Sequence, residues 1–265
     1  MISPVQRAIE ERPAGTRLVL LCDFDGTLAE LHHDPSVPML APERRDLILA
    51  LVARRDITIG LVSGRRLSDL RRRTQLPDSV YHAGLHGLEI EVDDRRWRHP
   101  ELEARWLSTR ELAVRLSSLA RDVPGAIIED KDISLAVHVR AVEPALRAEV
   151  LRRARALAAP VLASGELAML SGAFMLEFLP NLAWNKGDAT RWILDDVAAR
   201  RGDTPWVVFV GDDVTDENAF AAIESGVGVL VGNRPTAATH RLPSPTEVED
   251  LLRWLTTADK VRGVS

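Results

Sequence analysis

Cysteine is almost missing from this chain of 265 residues: Cys22 stands alone. One thiol cannot close an intramolecular disulfide, and a cysteine-cluster zinc site is equally out of reach. A basic surplus is missing too. Lys+Arg 34 against Asp+Glu 39 leaves a formal net charge of -5, whereas nucleic-acid binders carry a clear positive excess. The runs Arg71-Arg72-Arg73 and Arg152-Arg153 sit in helical context and read as solvated helix faces. No uncharged apolar run approaches the ~20 residues of a membrane helix. Residues 1–15 mix Arg7, Glu10, Glu11 and Arg12 with two prolines where a signal peptide would have an apolar core. The expectation is a soluble, cytoplasmic protein that engages neither nucleic acid nor membrane. Global disorder is excluded by a composition 46% hydrophobic and 28% charged. A chain of this size builds one large domain or two modest ones without a disulfide or structural metal.

Short apolar runs recur, each ending in a polar cluster. Residues 18–22 run into Asp23, 57–62 into Ser63-Gly64, 207–210 into Gly211-Asp212-Asp213, and 227–231 into Gly232-Asn233. Near-continuous apolar strands alternating with helical segments at 42–54, 186–200 and 216–225 predict an α/β fold, a doubly wound parallel sheet covered on both faces. The middle of the chain has another rhythm. An amphipathic helix over 101–121 precedes a strand with Ile133, Leu135, Val137 and Val139 on one face and Ser134, Ala136, His138 and Arg140 on the other. A helical segment at 144–157 and a short strand at 174–178 follow. One-sided strands with helices belong to an antiparallel layer. We therefore expect a smaller α+β domain at 101–178, inserted into a catalytic core made of 1–100 and 179–265.

Three parallel strands deliver polar residues at their C-terminal ends: Asp23 and Asp25, then Ser63, then Asp212, Asp213 and Asp216. In open α/β sheets the ligand site lies beyond those ends. Paired carboxylates after a buried strand are costly unless a cation compensates them. Alone, Asp23-Phe24-Asp25-Gly26 reads equally well as a turn. The second cluster, Asp212, Asp213, Asp216 and Glu217, holds more carboxylates than helix capping explains. An all-oxygen ligand set suits a hard cation, and magnesium is the usual choice beside phosphate. Lys186 stands at a helix start, where the helix dipole favours anions and gives a lysine nothing. It reads as facing an anion. Ser63-Gly64-Arg65 offers a hydroxyl and successive backbone N–H groups for phosphate oxygens. Together these parts suit phosphoryl transfer with an aspartate attacking phosphorus.

On Asp23-Phe24-Asp25-Gly26-Thr27, Ser63, Lys186 and Gly211-Asp212-Asp213 with Asp216, the chain resembles the haloacid dehalogenase superfamily, which implies a Rossmann-like core with a cap domain. The resemblance implies Asp23 as nucleophile and Asp25 as general acid and then base. It implies magnesium held by Asp23, the main-chain carbonyl of Asp25 and Asp212, with Asp213 and Asp216 acting directly or through water. The inserted domain should choose the substrate and close over the site.

Further stretches narrow the likeness. Gly84-Leu85-His86-Gly87-Leu88-Glu89, Glu129-Asp130-Lys131, Ser134 to Arg140, Leu176-Glu177-Phe178-Leu179-Pro180 and Trp184-Asn185-Lys186-Gly187 are similar to trehalose-6-phosphate phosphatases, from about Leu18 to Leu255. This implies a disaccharide phosphate as substrate, with Glu129, Lys131 and Glu177 recognising sugar hydroxyls beside His138 and Arg140 on the polar strand face. It also implies a role alongside a trehalose-6-phosphate synthase. The chain departs from that pattern at Val139, Leu179 and around Ala173, which leaves the sugar open. The alternatives are a sucrose-6-phosphate or glucosylglycerol-phosphate phosphatase, or a catalytically silent sugar-phosphate-binding domain.

Overall fold

The apolar runs become the central strands of one eight-stranded sheet in the computed structural model, which describes residues 3–172, 174–202 and 204–258. The first elements are α1 (Pro4–Glu10), β1 (Thr16–Cys22), α2 (Pro42–Val52), β2 (Ile57–Val62), α3 (Leu67–Thr74), β3 (Tyr81–Gly84), β4 (Glu89–Val92) and β5 (Arg95–Arg98). Next come α4 (Trp106–Asp122), β6 (Ile127–Asp130), β7 (Leu135–His138), α5 (Pro144–Ala163), β8 (Leu167–Gly172) and β9 (Met175–Pro180). The chain ends with α6 (Lys186–Arg201), β10 (Thr204–Gly211), α7 (Glu217–Ala221), β11 (Gly226–Val231), β12 (His240–Leu242) and α8 (Pro245–Thr257). These elements form two compact units. One holds residues up to 31, 38–97 and from 184 on; the other holds 32–37 and 98–183.

In the first unit the strand order is β12-β11-β10-β1-β2-β3-β4-β5. The strands from β12 to β3 are parallel, and β4 turns back antiparallel against β3. Strand β1 lies in the middle, paired from Thr16↔Thr204 to Cys22↔Val210 on one side and from Leu18↔Ile57 to Cys22↔Leu61 on the other. Alternate residues serve opposite layers. Leu18, Leu20 and Cys22 pack with Ile48, Leu51, Leu70, Val248 and Leu251 of α2, α3 and α8. Val19 and Leu21 pack with Ala189, Ile193 and Val197 of α6 and with Phe220 of α7. A helix layer on each face explains why these strands carry no polar alternation. Among the described residues no helix is long and apolar enough to cross a membrane.

Local chemistry sets the element ends. Helix α6 starts on a capping box, with Asn185 accepting from Gly187 and Asp188 accepting from the Asn185 N–H, and stops at the left-handed Gly202. The helix expected at 216–225 is shorter. A single 3-10 turn, Val214–Asp216, leads into α7, which ends at Ala221. The Ser225 carbonyl is drawn into the sheet instead, accepting from the Val207 N–H at 2.9 Å. Helix α5 runs beyond 157 to Ala163 despite Pro160, with Ala158 and Val161 buried. The arginine runs are only partly solvated. Arg72 and Arg152 are exposed, but Arg73 is buried, donating to Asp69 and to the Pro38 carbonyl.

The second unit is a four-stranded antiparallel sheet, β6-β7-β9-β8. Leu135 pairs with Phe178 and Val137 with Leu176. These side chains form one core with Leu112, Leu116 and Leu119 of α4 and Val150, Ala154 and Val161 of α5. Burying each of the larger ones contributes about 1.5–3 kcal/mol. The opposite strand face carries Ser134, Ala136 and Glu177, with Ala136 paired to both Glu129 and Glu177. Ser134, Ala136 and Glu177 are themselves buried, so this second face is not a solvated one. The strand expected at 174–178 is shifted to Met175–Pro180.

Candidate active site

Strands β1, β2 and β10 end side by side, so the loops that follow them share one edge of the sheet. Asp23 leaves β1 with its N–H donated to the Val210 carbonyl at 2.8 Å, and its Oδ1 accepts the Phe24 N–H at 2.7 Å. The chain then turns at Gly26, whose φ of +81° is left-handed. A Cβ there would lie 2.1 Å from Asp212 Oδ2. The loops after β1 and β10 can approach this closely only because residue 26 has no side chain. Thr27 fastens them, its hydroxyl donating to Asp212 Oδ1 at 3.1 Å.

Lys186, at the first position of α6, is 1% exposed. Its Nζ lies 2.7 Å from Asp216 Oδ1 and 3.0 Å from Asp23 Oδ2. Burial by itself would lower its pKa, but Asp216 and Asp23 outweigh burial and hold the ammonium above its ordinary range. Asp23 is raised as well, which disfavours its charge: burial first, then Asp216, Asp212 and Asp25, lift its carboxyl well above the usual range, and Lys186 only partly offsets this. Asp212 is pushed up to about 7 by burial and Asp216, against Lys186 and the Thr27 hydroxyl. Negative charge is thus crowded beyond what one lysine neutralises.

Asp23, Asp212 and Asp216 each offer a carboxylate oxygen, all within 4.8 Å of one another. Three hard oxygen donors that are short of positive charge fit a divalent cation such as magnesium. Asp216 also accepts the Asp213 N–H, as Asp23 accepts that of Phe24. The side chain of Asp25 lies outside this group. Arg65 grips it from two sides, Nε to Oδ2 at 2.7 Å and Nη2 to Oδ1 at 2.6 Å, and gives its Nη1 to Asp69 at 2.9 Å. The guanidinium also lies over the Phe24 ring, 5.4 Å from its centroid. Arg65 therefore reaches the site as the partner of Asp25, while its main-chain N–H donates to Ser63 Oγ at 3.2 Å. Ser63 is buried at the end of β2. Gly64 allows close contact with His86, whose ring would be 2.8 Å from an added Cβ, and the His86 N–H donates to the Ser63 carbonyl at 2.9 Å.

Reading the sequence overlooked Arg234. From the loop after β11 it donates to the Asp212 carbonyl at 2.9 Å and the Asp213 carbonyl at 2.5 Å, and pairs with Glu217. No local spacing marks this arginine; only the adjacency of β11 to β10 brings it there. The close pairing of Asp216 with Lys186 was not foreseen either, although both stand in quoted motifs.

In the second unit, Glu177 Oε1 accepts from Lys131 Nζ at 2.8 Å and from the Ser134 hydroxyl at 2.9 Å, with Lys131 and Glu177 both buried. Glu129 Oε2 lies 2.9 Å from His138 Nε2. Arg140 is placed differently, its guanidinium 4.7 Å from the Phe174 ring centroid. Of the departures from the resembled pattern, Val139 belongs to the helix-facing core, Leu179 is buried on β9, and Ala173 lies outside the described residues.

A sequence model of the trehalose-phosphatase family matches residues 21–246. Trehalose-phosphate phosphatase of Mycobacterium ulcerans (strain Agy99) is 32% identical over 252 residues, covering 90% of this chain and 62% of that protein. Its namesake in Mycobacterium tuberculosis (strain ATCC 25618 / H37Rv) is 32% identical over 236 residues, 86% of this chain and 58% of that protein. The chain thus spans less than two thirds of the length of these relatives. Among solved structures, the C-terminal domain of Candida albicans trehalose-6-phosphate phosphatase superposes with a TM-score of 0.81 at 19% identity, covering 94% of each chain.

Proposed function

Because the chain belongs to the trehalose-phosphatase family, we propose that it is a magnesium-dependent phosphatase that hydrolyses trehalose 6-phosphate to trehalose and inorganic phosphate. The observation that carries this reading is the buried Lys186 ammonium between Asp23 and Asp216, with Asp212 in the same group of carboxylates.

Asp23 attacks phosphorus, forming an aspartyl-phosphate while the bond to the sugar oxygen breaks. Asp25 gives the departing oxygen a proton, then takes one from the water that attacks the aspartyl-phosphate and restores Asp23. Lys186 and the Ser63 hydroxyl, with the N–H groups of Gly64 and Arg65, hold the phosphoryl oxygens. Asp23, the main-chain carbonyl of Asp25 and Asp212 would hold magnesium, which neutralises phosphoryl charge. Glu129, Lys131 and Glu177 recognise sugar hydroxyls, which can both donate to carboxylates and accept from an ammonium. In this reading a trehalose-6-phosphate synthase supplies the substrate, in the cytoplasm.

Phosphate release from a panel of sugar phosphates, with magnesium and with EDTA, tests the proposal. Trehalose 6-phosphate should be turned over well ahead of sucrose 6-phosphate and glucosylglycerol phosphate, and only with the metal. Equal turnover of several sugars would remove the trehalose assignment, and activity in EDTA the magnesium. Asp23→Asn should lower turnover by more than ~10³-fold, the scale on which loss of a nucleophile is felt, with an unchanged circular dichroism spectrum. Retention of turnover in that variant would exclude the aspartyl-phosphate.

A further inference from the structure

At the opposite edge of the same sheet, where β1, β2 and β3 begin, lies a cavity of about 180 Å³. Five arginines line it: Arg17 on β1, Arg54 and Arg55 in the turn after α2, and Arg200 and Arg201 at the end of α6. Tyr81 and the acidic Asp93 also line it, and the Tyr81 hydroxyl donates to Asp196 at 2.6 Å. In a chain whose net charge is negative, this concentration is unexpected. Arg54 is paired with Asp56 at 2.7 Å and Arg200 with Asp93 and Asp196. Among the described residues no carboxylate pairs with Arg55 or Arg201. Helix C-termini explain part of the set, since each carries about half a negative charge. Arg54 indeed donates to the Leu255 and Ala258 carbonyls at the end of α8. Two full positive charges on Arg55 and Arg201 exceed what the ends of α2 and α6 require.

We propose that this cavity binds a compact phosphate anion, inorganic phosphate or pyrophosphate, at a site separate from the candidate active site. Guanidinium forks match phosphate oxygens. Arg55 and Arg201 come from different parts of the chain, the turn after α2 and the end of α6, and Arg17, whose Nη1 donates to the Arg55 carbonyl at 2.5 Å, stands beside them. Phosphate offers more oxygens and more negative charge than one carboxylate, so it can serve several such donors at once. The volume, below the ~300 Å³ at which pockets for larger ligands begin, suits a small anion. Six residue steps along β1 separate Arg17 from Asp23, roughly 20 Å at ~3.3 Å per step. The two sites are therefore distinct.

Tyr81 is the chain's one tyrosine, which makes it a private reporter. Ring-labelled tyrosine in the full chain is followed by NMR while phosphate or pyrophosphate is added at constant ionic strength in EDTA. The Tyr81 signal should move and saturate, with a midpoint at least about tenfold weaker in the Arg55→Ala/Arg201→Ala variant, the scale of one lost charge-assisted hydrogen bond. The single variant Arg201→Glu, which adds an opposing charge, should abolish the shift. Matching thermal unfolding of the variants confirms that they fold. A Tyr81 signal that stays fixed, or a midpoint that is the same in the variants, overturns the proposal. Phosphate held at the candidate active site alone would leave the Tyr81 ring unmoved.

Discussion

Asp25 has both carboxylate oxygens engaged by a single guanidinium. In the reaction proposed above, Asp25 must release one of them before it can hand a proton to the departing oxygen, so Arg65 would set where that oxygen points and when it is available. Lysine at 65 keeps the charge but loses the fork. Arg65→Lys should lower kcat by about 10–100-fold, as expected for a catalytic group displaced by an ångström, and leave KM nearly unchanged. Steady-state kinetics across pH would check this; a rise in KM alone would mean that the side chain binds phosphate directly. His82 offers a test away from the site. Burial, with a smaller contribution from Arg71, lowers its pKa to about 4, below the ~6.5 of an unfolded chain. Between these values the unfolded state binds more protons, so stability falls as pH drops from 6.5 toward 4. The ring accounts for on the order of 3 kcal/mol. The difference in denaturant midpoints between the natural chain and His82→Gln should therefore narrow across that interval; a constant difference would show that His82 takes up a proton equally in the folded and unfolded states. Residue type and spacing single out Asp23 and Asp212, since buried strand ends rarely tolerate charge without a purpose, and Lys186, since a helix start gives a lysine nothing. Arg65 on Asp25 and Arg234 on the Asp212 carbonyl depend on which loops become neighbours, and that information is not local.

Among the elements, periodicity is the readable signal. The alternation of Leu135, Val137 and Val139 specifies which face of β7 meets α4 and α5, because successive side chains of a strand point to opposite sides. Phe178 is fully buried on β9 opposite Leu135. Phe178→Ala should cost about 3–5 kcal/mol. Hydrogen exchange should show the loss concentrated in β6 to β9 with α4 and α5, while β1, β2 and β10 keep their protection; uniform deprotection would mean that the two units unfold as one. Element ends are less readable. The fate of residues 222–225 turns on a hydrogen bond between Ser225 and Val207, which cannot be inferred until β10 and β11 are known to pair. The buried second face of the β7 sheet was equally hidden, because Ser134 and Glu177 look solvated until their mutual hydrogen bond is seen.

For the molecule as a whole, the crowded carboxylates imply that a cation and the folded state favour each other. Magnesium at 100 times its dissociation constant should stabilise the chain by about 2.7 kcal/mol, read as a rise in thermal midpoint, and Asp212→Asn should abolish most of that rise. An unchanged midpoint would mean that the three carboxylates do not bind the ion. The placement of β1 between β2 and β10 has a consequence for how the chain is made. As it leaves the ribosome, β1 can join β2 early, but the strand for its other side, starting at Thr204, arrives only after the whole inserted unit has been translated. Until then a strand that is apolar from Leu18 to Cys22 stands with one edge bare, a template for mispairing between nascent chains. Slow translation through residues 98–183 would prolong that exposure, so yield in a cell should depend on chaperone supply more than on the strength of the finished core.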